Sequence, residues 1–304
     1  MTPFLAEHFV QSPQWTWYIL FYFFFAGLAA GAYVLGTLLR FSGDPRDEPA
    51  ARIAFLVCFP ATVICPVLLT ADLGVSWWKF WHMMVDVTPG DASLNFKYWS
   101  PMSVGVWALL AFGFFVTVSA FDAWMRNRGG GIVPMLVNRG FNIIGAVLAL
   151  FIASYTGVLL SVSNQPVWSD TWVLGGLFLA SGLSGAAALI ALLIRNRPDA
   201  SFSLGRLHQA DGYFSVLELA LMIVFFITIG AAGVLARELP WLPLWAIAVA
   251  GVAGSLVEAR GHMRTQVAGG SGTVAGVRLD TVVVSVLVLA GVLALRAAVI
   301  FSAQ

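Results

Sequence analysis

The stretch WTWYILFYFFFAGLAAGAYVLGTLL, residues Trp15–Leu39, contains no charged side chain. An α-helix rises 1.5 Å per residue, so a run of this length can cross the roughly 30 Å hydrocarbon core of a bilayer. The rest of the chain has the same character, because 60% of the 304 residues are hydrophobic and 10% are charged. A soluble domain carries about 25% charged residues. The composition therefore indicates an integral membrane protein, and no run of Lys or Arg suggests a nucleic-acid partner.

Seven further apolar runs of about 20 residues follow the first, and each predicts a spanning helix. Predicted helices 2 to 8 cover Ile53–Leu73, Pro101–Trp124, Phe141–Val162, Thr171–Ile194, Tyr213–Leu235, Leu239–Val257 and Leu279–Phe301. The fold class is therefore an all-α integral membrane protein with eight transmembrane helices.

The basic residues predict how these helices are oriented. The connections after helices 1, 3, 5 and 7 hold 12 of the 16 Lys and Arg residues. The connections on the opposite side hold Lys79, Lys97 and Arg237. Cytoplasmic loops of membrane proteins carry an excess of Lys and Arg, so we expect both termini to lie outside the cytoplasm.

Asp72 ends the apolar run of helix 2, and a segment rich in aromatic residues follows it. This segment has the spacing of an amphipathic interfacial helix. The predicted apolar face holds Trp77, Phe80, Trp81, Met84 and Val85, and the opposite face holds Lys79, His82 and Asp86. An interfacial belt of aromatic residues is the alternative interpretation. The long connection around this segment is also a plausible docking surface for another subunit.

Two tyrosines fall at the same predicted depth as Asp72. Tyr22 lies about 10 Å into helix 1 from Trp15, and Tyr155 lies one or two turns below the outer end of helix 4. A phenol can donate a hydrogen bond to a quinone carbonyl, and a carboxylate can accept the proton of a quinol. We therefore predict a quinone site at these three residues, with Asp72 relaying protons. The alternative role of each tyrosine is that of an interfacial anchor.

Other charged residues fall inside or close to the predicted spans. Glu218 lies near the cytoplasmic start of helix 6 and Arg296 in the outer half of helix 8, while Asp122 and Asp280 lie near inner ends. Charges in a membrane are costly, so these four are candidates for a proton path. An internal ion pair or snorkelling to an interface explains them equally well. An ion or proton transporter that uses these carboxylates is the alternative function.

Several cofactor classes are not expected in this chain. None of the four histidines lies within a predicted span, which argues against haem held between two helices. The sequence has no cysteine cluster motif, so we expect iron–sulfur centres only on partners, and no metal site. A quinone-reactive subunit of this kind must meet its electron partner at the membrane surface, over the outer site.

A weak internal repeat suggests two parallel four-helix bundles. Phe24–Arg40 resembles Leu179–Arg195 in the position of a Gly-Leu pair and of the final Arg. We expect residues 1–140 with 141–165 to form the first bundle, which holds the quinone site, and residues 166–304 to form the second. Small residues that permit close helix packing are Gly27, Gly31, Gly36, Gly182 and Gly185.

The longer motifs resemble one known family. They are FAGLAAGAYVLGTLL in helix 1, LLTADLGVSWWKFW after helix 2, SPMSVGVWAL opening helix 3, SYTGVLLSVSNQPVW ending helix 4, FLASGLSGAAAL in helix 5 and the C-terminal LVLAGVLALRAAVIFSAQ. Together these motifs resemble the NrfD-type membrane subunits, a family that includes the membrane anchor of polysulfide reductase.

The resemblance implies an eight-helix anchor in the cytoplasmic membrane of a bacterium or archaeon. Such an anchor exchanges electrons between menaquinone or ubiquinone and a ferredoxin-like four-cluster iron–sulfur subunit at the outer face. That subunit usually serves a molybdopterin enzyme, such as one resembling polysulfide, thiosulfate or tetrathionate reductase.

The resemblance also assigns roles to individual residues. Tyr155 matches the quinone-contacting tyrosine of the family, and Asp72 matches its acidic residue at the end of helix 2. Tyr22 stands where the polysulfide-reductase type has a histidine, and Ile19 where that type has an asparagine. His82 and Trp78, from the aromatic segment, complete the predicted set of quinone contacts.

Overall fold

The computed structural model describes residues 13–90, 93–130, 135–267 and 280–304. Helices account for most of these ranges, and the one pairing of extended backbone within them is an isolated bridge between Val85 and Leu94. Eight helices in the described ranges are long and apolar enough to cross a membrane. The prediction of an all-α membrane protein with eight spanning helices is confirmed.

The eight α-helices, α1 to α8, follow one another along the chain. Their bounds are Trp17–Phe41, Glu48–Asp72, Pro101–Arg126, Met135–Ser161, Leu174–Ile194, Ser201–Ala231, Leu242–Val267 and Thr281–Ser302. Short 3-10 helices lie between them at Pro45–Asp47, Gly74–Met83, Pro198–Ala200 and Leu235–Trp241.

Helix α6 differs most from its prediction. It begins at Ser201 rather than at Tyr213, because the helix continues into polar sequence that a search for apolar runs leaves out. His208 therefore lies inside a spanning helix and is 3% exposed. The prediction that no histidine lies within a span is wrong for this residue.

Helix α1 is central to the described part of the protein and packs against α2, α4, α5 and α8. Its small residues bring it close to α5, since a Cβ added at Gly31 would lie 2.5 Å from the carbonyl oxygen of Gly182. The same atom would lie 2.6 Å from the Cβ of Ala186. A Cβ added at Gly182 would in turn lie 3.1 Å from the Cα of Gly27. The predicted packing role is confirmed for these three glycines, because larger residues would push the two helices apart.

The two ends of the bundle differ in their charges. At one end Arg40 pairs with Glu48 at 3.2 Å, and Arg206 pairs with the buried Asp47. At the opposite end α1 begins and α2 finishes at Asp72. We refer to these as the Arg40 end and the Asp72 end. The membrane face that each end meets, and the division into two four-helix bundles, stay predictions.

Candidate functional site

A cavity of about 580 Å³ lies among the first four helices at the Asp72 end. Tyr22 from α1, Asp72 from α2 and Tyr155 from α4 all line this cavity. The structure thus brings together the three residues that the sequence analysis placed at one depth. Small-molecule sites in proteins have volumes of about 300–1,000 Å³, so the cavity is large enough for an aromatic head group.

Tyr155 is held in place by two contacts with α3. Its hydroxyl donates a hydrogen bond of 2.7 Å to the carbonyl oxygen of Pro101. Its ring lies directly over Gly105, where an added Cβ would overlap the tyrosine hydroxyl. Because the phenol proton is already used, the hydroxyl oxygen of Tyr155 is available to a ligand as an acceptor.

Tyr22 presents the opposite chemistry. The side chain is 4% exposed and lies on α1, and its ring centroid is 5.3 Å from that of Phe23. The thiol of Cys65 lies near the backbone carbonyl oxygen of Tyr22. Within the described ranges the Tyr22 hydroxyl has no hydrogen-bond partner in the protein. Buried hydroxyls are nearly always paired, so this phenol has a proton available for a ligand in the cavity.

Asp72 supplies a carboxylate at the mouth of the cavity. It is the last residue of α2, and its carboxylate interacts with the hydroxyl of Thr16, which precedes α1. Within the described residues Asp72 forms no salt bridge with a cation. A carboxylate without a compensating cation is suited to accept a proton.

The 3-10 helix Gly74–Met83 covers the cavity and forms its roof. Phe80, Met83 and the following Met84 line the cavity. The predicted amphipathic α-helix is wrong here, because the backbone makes three residues per turn and is interrupted at Ser76. Phe80 and Met84 of the predicted apolar face line the cavity together with Met83, whereas Trp77 and Trp81 of that face are exposed.

His82 and Trp78, which were predicted to contact the quinone, are not among the lining residues of the cavity. The ring of His82 is edge-on to the rings of both Trp81 and Trp78, with centroid distances of 4.3 Å and 6.4 Å. Trp78 is half exposed on the outer side of the roof. The structure does not bring either residue to the predicted site.

Asn95 fastens the roof to α3, a role that the sequence analysis missed. Its amide nitrogen Nδ2 donates to the carbonyl oxygen of His82 at 3.0 Å, and its backbone N–H donates to the carbonyl oxygen of Met84 at 2.8 Å. The backbone carbonyl oxygen of Asn95 accepts a hydrogen bond from Trp107 Nε1 on α3 at 3.3 Å. No sequence pattern indicates such a contact, because the side chain of Asn95 bonds a backbone carbonyl of the roof.

Two of the four proton-path candidates make local structural contacts. Asp122 is 1% exposed at the Arg40 end, where its carboxylate lies 2.7 Å from Nε of Arg126 and 3.6 Å from Nη1 of Arg40. Asp280 caps the N-terminus of α8, since its carboxylate accepts from the backbone N–H of Val282 at 3.1 Å. These contacts give each carboxylate a structural role, so neither needs a proton path to explain its position.

The other two candidates, Arg296 and Glu218, are buried. The guanidinium of Arg296 donates to the carbonyl oxygens of Phe23 at 3.2 Å and Phe178 at 3.1 Å, and to Ser181 Oγ at 2.9 Å. It therefore connects α8 to α1 and α5. Glu218 is 2% exposed on α6 and interacts with Arg296 through charge alone.

A polar cluster among α5 to α8 continues from Glu218 towards the Arg40 end. Ser184 Oγ donates to Asp211 Oδ1 at 2.6 Å, and Ser215 Oγ donates to Ser255 Oγ at 2.9 Å. The cluster also includes a contact of His208 Nδ1 with a carboxylate oxygen of Glu258 at 3.4 Å and a hydrogen bond of 2.9 Å from Thr281 to Glu258.

The sequence analysis missed His208 and Asp211, because the predicted helix 6 began after them. Their spacing carried a signal, since His208, Asp211, Ser215 and Glu218 recur every three or four residues and share one face of a helix.

Comparison with known proteins agrees with this architecture. The family model described as "Polysulphide reductase, NrfD" matches residues 5–256. The sequence is 28% identical over 251 residues to "Protein NrfD" of Escherichia coli (strain K12), an alignment that covers 75% of this protein and 74% of that one. It is 28% identical over 228 residues to the polysulfide reductase C subunit of Wolinella succinogenes, which covers 70% of this protein and 69% of that one. A "Protein NrfD homolog" of Haemophilus influenzae is 24% identical over 245 residues, which covers 72% of each protein.

Proposed function

Because the protein belongs to the NrfD family of polysulphide reductase proteins, we propose that it is the quinone-reactive membrane anchor of a reductase complex. One relative is named as a single subunit of polysulfide reductase, which supports the existence of further subunits in such a complex. In this proposal the anchor exchanges electrons between menaquinone or ubiquinone and an iron–sulfur partner subunit, and a molybdopterin subunit acts on the terminal substrate. The complex would lie in the cytoplasmic membrane of a bacterium or archaeon.

One observation carries this proposal: Tyr22, Asp72 and Tyr155 come from three different helices and line one cavity whose other lining residues are mostly apolar. A quinone has two carbonyl oxygens on a flat apolar ring, and its reduced form has two hydroxyls. The Tyr22 phenol would donate to one oxygen, and the Tyr155 oxygen would accept from a hydroxyl of the reduced form. Bound quinol supplies two electrons and two protons on oxidation.

The residues of this protein would handle the protons of that reaction. Asp72 lies at the mouth of the cavity and is exposed, so a proton that it accepts can pass to water at the Asp72 end. The apolar roof residues Phe80, Met83 and Met84 would keep water from the ring. Proton transfer is thereby confined to the side of the cavity that holds the carboxylate.

The outer surface of the roof is suited to the electron-accepting partner. Large aromatic residues are exposed on the roof, at Trp77, Trp78 and Trp81, and in the connection between the roof and α3, at Tyr98 and Trp99. Aromatic side chains are enriched in protein interfaces, and an exposed apolar patch of this kind marks an interaction site. A subunit docked on this surface would be separated from the cavity by the thickness of one 3-10 helix, a short gap for electron transfer.

Replacing Asp72 by Asn in the assembled complex tests the proposal. General-base catalysis contributes about 10²–10⁴-fold, so quinol-linked turnover should fall at least about hundredfold while assembly is retained. Tyr22→Phe should raise the KM for quinol. Asp280→Asn is the matched control, because asparagine is an equally good helix cap. Unchanged turnover in the Asp72 variant would show that the site lies elsewhere.

The polar cluster of α5 to α8 favours a second function, proton translocation. On α6 its members follow one face from His208 to Glu218, a distance of about 15 Å. Beyond Glu218 the same face continues with Met222, Phe225 and Ile229, which are buried and apolar. This arrangement suits a half-path for protons from the Arg40 end to Glu218. It also supports the alternative of a transporter that works without quinone.

Proton counting in proteoliposomes separates these two functions. If translocation is coupled to quinol oxidation, Glu218→Gln lowers the ratio of protons moved to electrons transferred and leaves Asp72-dependent oxidation in place. If the protein is an independent transporter, proton flux persists in the Asp72→Asn variant and without any quinol. A ratio unchanged by Glu218→Gln would exclude a path through this residue.

A further inference from the structure

The cavity continues away from Asp72 as a groove between α2 and α3. Helix α1 contributes residues to the cavity only near its start, and α4 only near its end. By contrast, the lining from α2 runs from Phe59 to Asp72 and the lining from α3 from Met102 to Thr117. Each of these stretches is about 20 Å long, which is roughly two thirds of the hydrocarbon thickness of a bilayer.

The groove has a buried floor and an exposed rim. Its floor is formed by Thr62, Leu109 and Val116, which are 9% exposed or less. The rim residues Phe59 and Val63 are 39% and 46% exposed. A groove of this shape opens sideways, where lipid would surround the helices.

The polar side chains in the part of the groove remote from Asp72 are already paired. Two threonines lie there, and each donates its hydroxyl hydrogen bond within its own helix. Thr62 Oγ1 donates to the carbonyl oxygen of Cys58 at 2.9 Å, and Thr117 Oγ1 donates to that of Gly113 at 2.7 Å. An occupant therefore needs no polar groups of its own, in contrast to a molecule at the Tyr22 end.

We infer that this groove receives the isoprenoid tail of the quinone and that Gly113 keeps it open. The inference rests on the proposed quinone site, since the groove is continuous with the cavity that holds Tyr22 and Tyr155. No described atom lies within 4 Å of a Cβ built at Gly113, so a side chain there projects into the space that the tail occupies. The tail would leave the protein between α2 and α3.

We expect the groove to determine sterically which quinones can reach the head-group site. Lipid tails are as apolar as the groove lining, so a quinone tail gains little hydrophobic free energy by moving from lipid into the groove. Blocking the groove should therefore act by exclusion: a head group that carries a long tail can no longer reach Tyr22. A tail-free head group can still enter.

The experiment compares two naphthoquinones on the purified complex. One is menadione, which has no tail, and the other carries several isoprene units. Binding is followed with radiolabelled quinones by equilibrium dialysis, since a variant that adds a tryptophan would itself change a fluorescence signal. Gly113 is replaced in turn by Ala, Phe and Trp. Gly230→Trp on α6 is the matched control, because Gly230 is likewise a helical glycine with no described atom within 4 Å of an added Cβ.

The expected result is a graded and selective loss. Gly113→Trp should weaken binding of the tailed quinone at least about tenfold and change menadione binding by less than about twofold, whereas the Gly230 variant should change neither. Equal effects on both quinones, or none, would overturn the inference and assign the groove to a lipid acyl chain. Failure of the unmodified complex to bind menadione would instead contradict the quinone site itself.

Discussion

The hydroxyl of Tyr155 donates a hydrogen bond of 2.7 Å to the carbonyl oxygen of Pro101, the first residue of α3. This bond joins the end of one helix to the start of another across the cavity. It also fixes the direction of the phenol, so that the acceptor side of the oxygen is left for a ligand. Tyr22, whose hydroxyl has no partner in the described ranges, supplies the donor.

Replacing Tyr155 by Phe removes this acceptor and the bond to Pro101. A hydrogen bond contributes about 0.5–1.5 kcal/mol to stability, so the melting temperature should fall by only a few degrees. A ligand contact of similar strength corresponds to about a tenfold rise in the KM for quinol. Tyr213→Phe on α6 is the control, because Tyr213 is 67% exposed and does not line the cavity. Equal kinetics in the two variants would remove Tyr155 from the site.

Gly105→Ala should disturb the site through Tyr155. An alanine Cβ would overlap the tyrosine hydroxyl, so the ring must move away from α3 and lose its bond to Pro101. We expect quinol turnover to fall about tenfold or more, measured in membranes at equal amounts of complex. Gly230→Ala on α6 is the control, since Gly230 does not line the cavity and its Cβ would meet nothing within 4 Å beyond its own helix backbone in the described residues. If both alanine variants keep full turnover, the close packing of Tyr155 on α3 is unimportant.

Asn95→Ala should loosen the roof of the cavity. The variant loses the side-chain hydrogen bond to the carbonyl of His82, which contributes about 1 kcal/mol. Local opening should become several-fold more frequent, which hydrogen exchange of the segment Gly74–Met83 would measure. Asn127→Ala, an exposed position at the end of α3, is the comparison variant. Unaltered exchange in the Asn95 variant would mean that other contacts hold the roof.

Arg296→Met should destabilise the protein more than the conservative change Arg296→Lys. Methionine removes the hydrogen bonds that the guanidinium donates to the carbonyl oxygens of Phe23 and Phe178, at about 1.5–3 kcal/mol for each bond to a charged group. Lysine restores some of these hydrogen bonds through its single ammonium group. Thermal unfolding of the purified complex in detergent would rank the three proteins. A methionine variant as stable as the original would show that the guanidinium is not structural.

The eight spans were predictable because length and hydropathy determine a spanning helix. Each apolar run is long enough that single polar or charged residues within it do not hide it. Tyr22, Asp72 and Tyr155 were predictable as a group because a fixed rise per residue converts sequence position into depth. Depth does not give direction, however, and the bond from Tyr155 to Pro101 depends on how α3 and α4 are turned about their axes. The family resemblance identified Tyr155 and Asp72, and it said nothing about Gly105.

The errors have physical causes as well. The roof was predicted with the period of an α-helix, and a 3-10 helix broken at Ser76 places different residues inward. His208 and Asp211 were assigned to a connection because their segment is polar, although tertiary contacts with α5 and α7 bury them in α6. Asn95 acts on backbone atoms, which no sequence pattern records.

The hydrogen bonds of Arg296 have a consequence for biosynthesis. A guanidinium in the middle of a helix costs about 2.5–3.5 kcal/mol on insertion into lipid. Its acceptor at Phe23 is made 273 residues earlier, and its acceptor at Phe178 is made 118 residues earlier. Helix α8 is therefore completed by helices that are translated well before it. A protein in which α1 or α5 is misplaced would expose a cation to lipid, a defect that membrane quality-control proteases can recognise before any partner subunit binds.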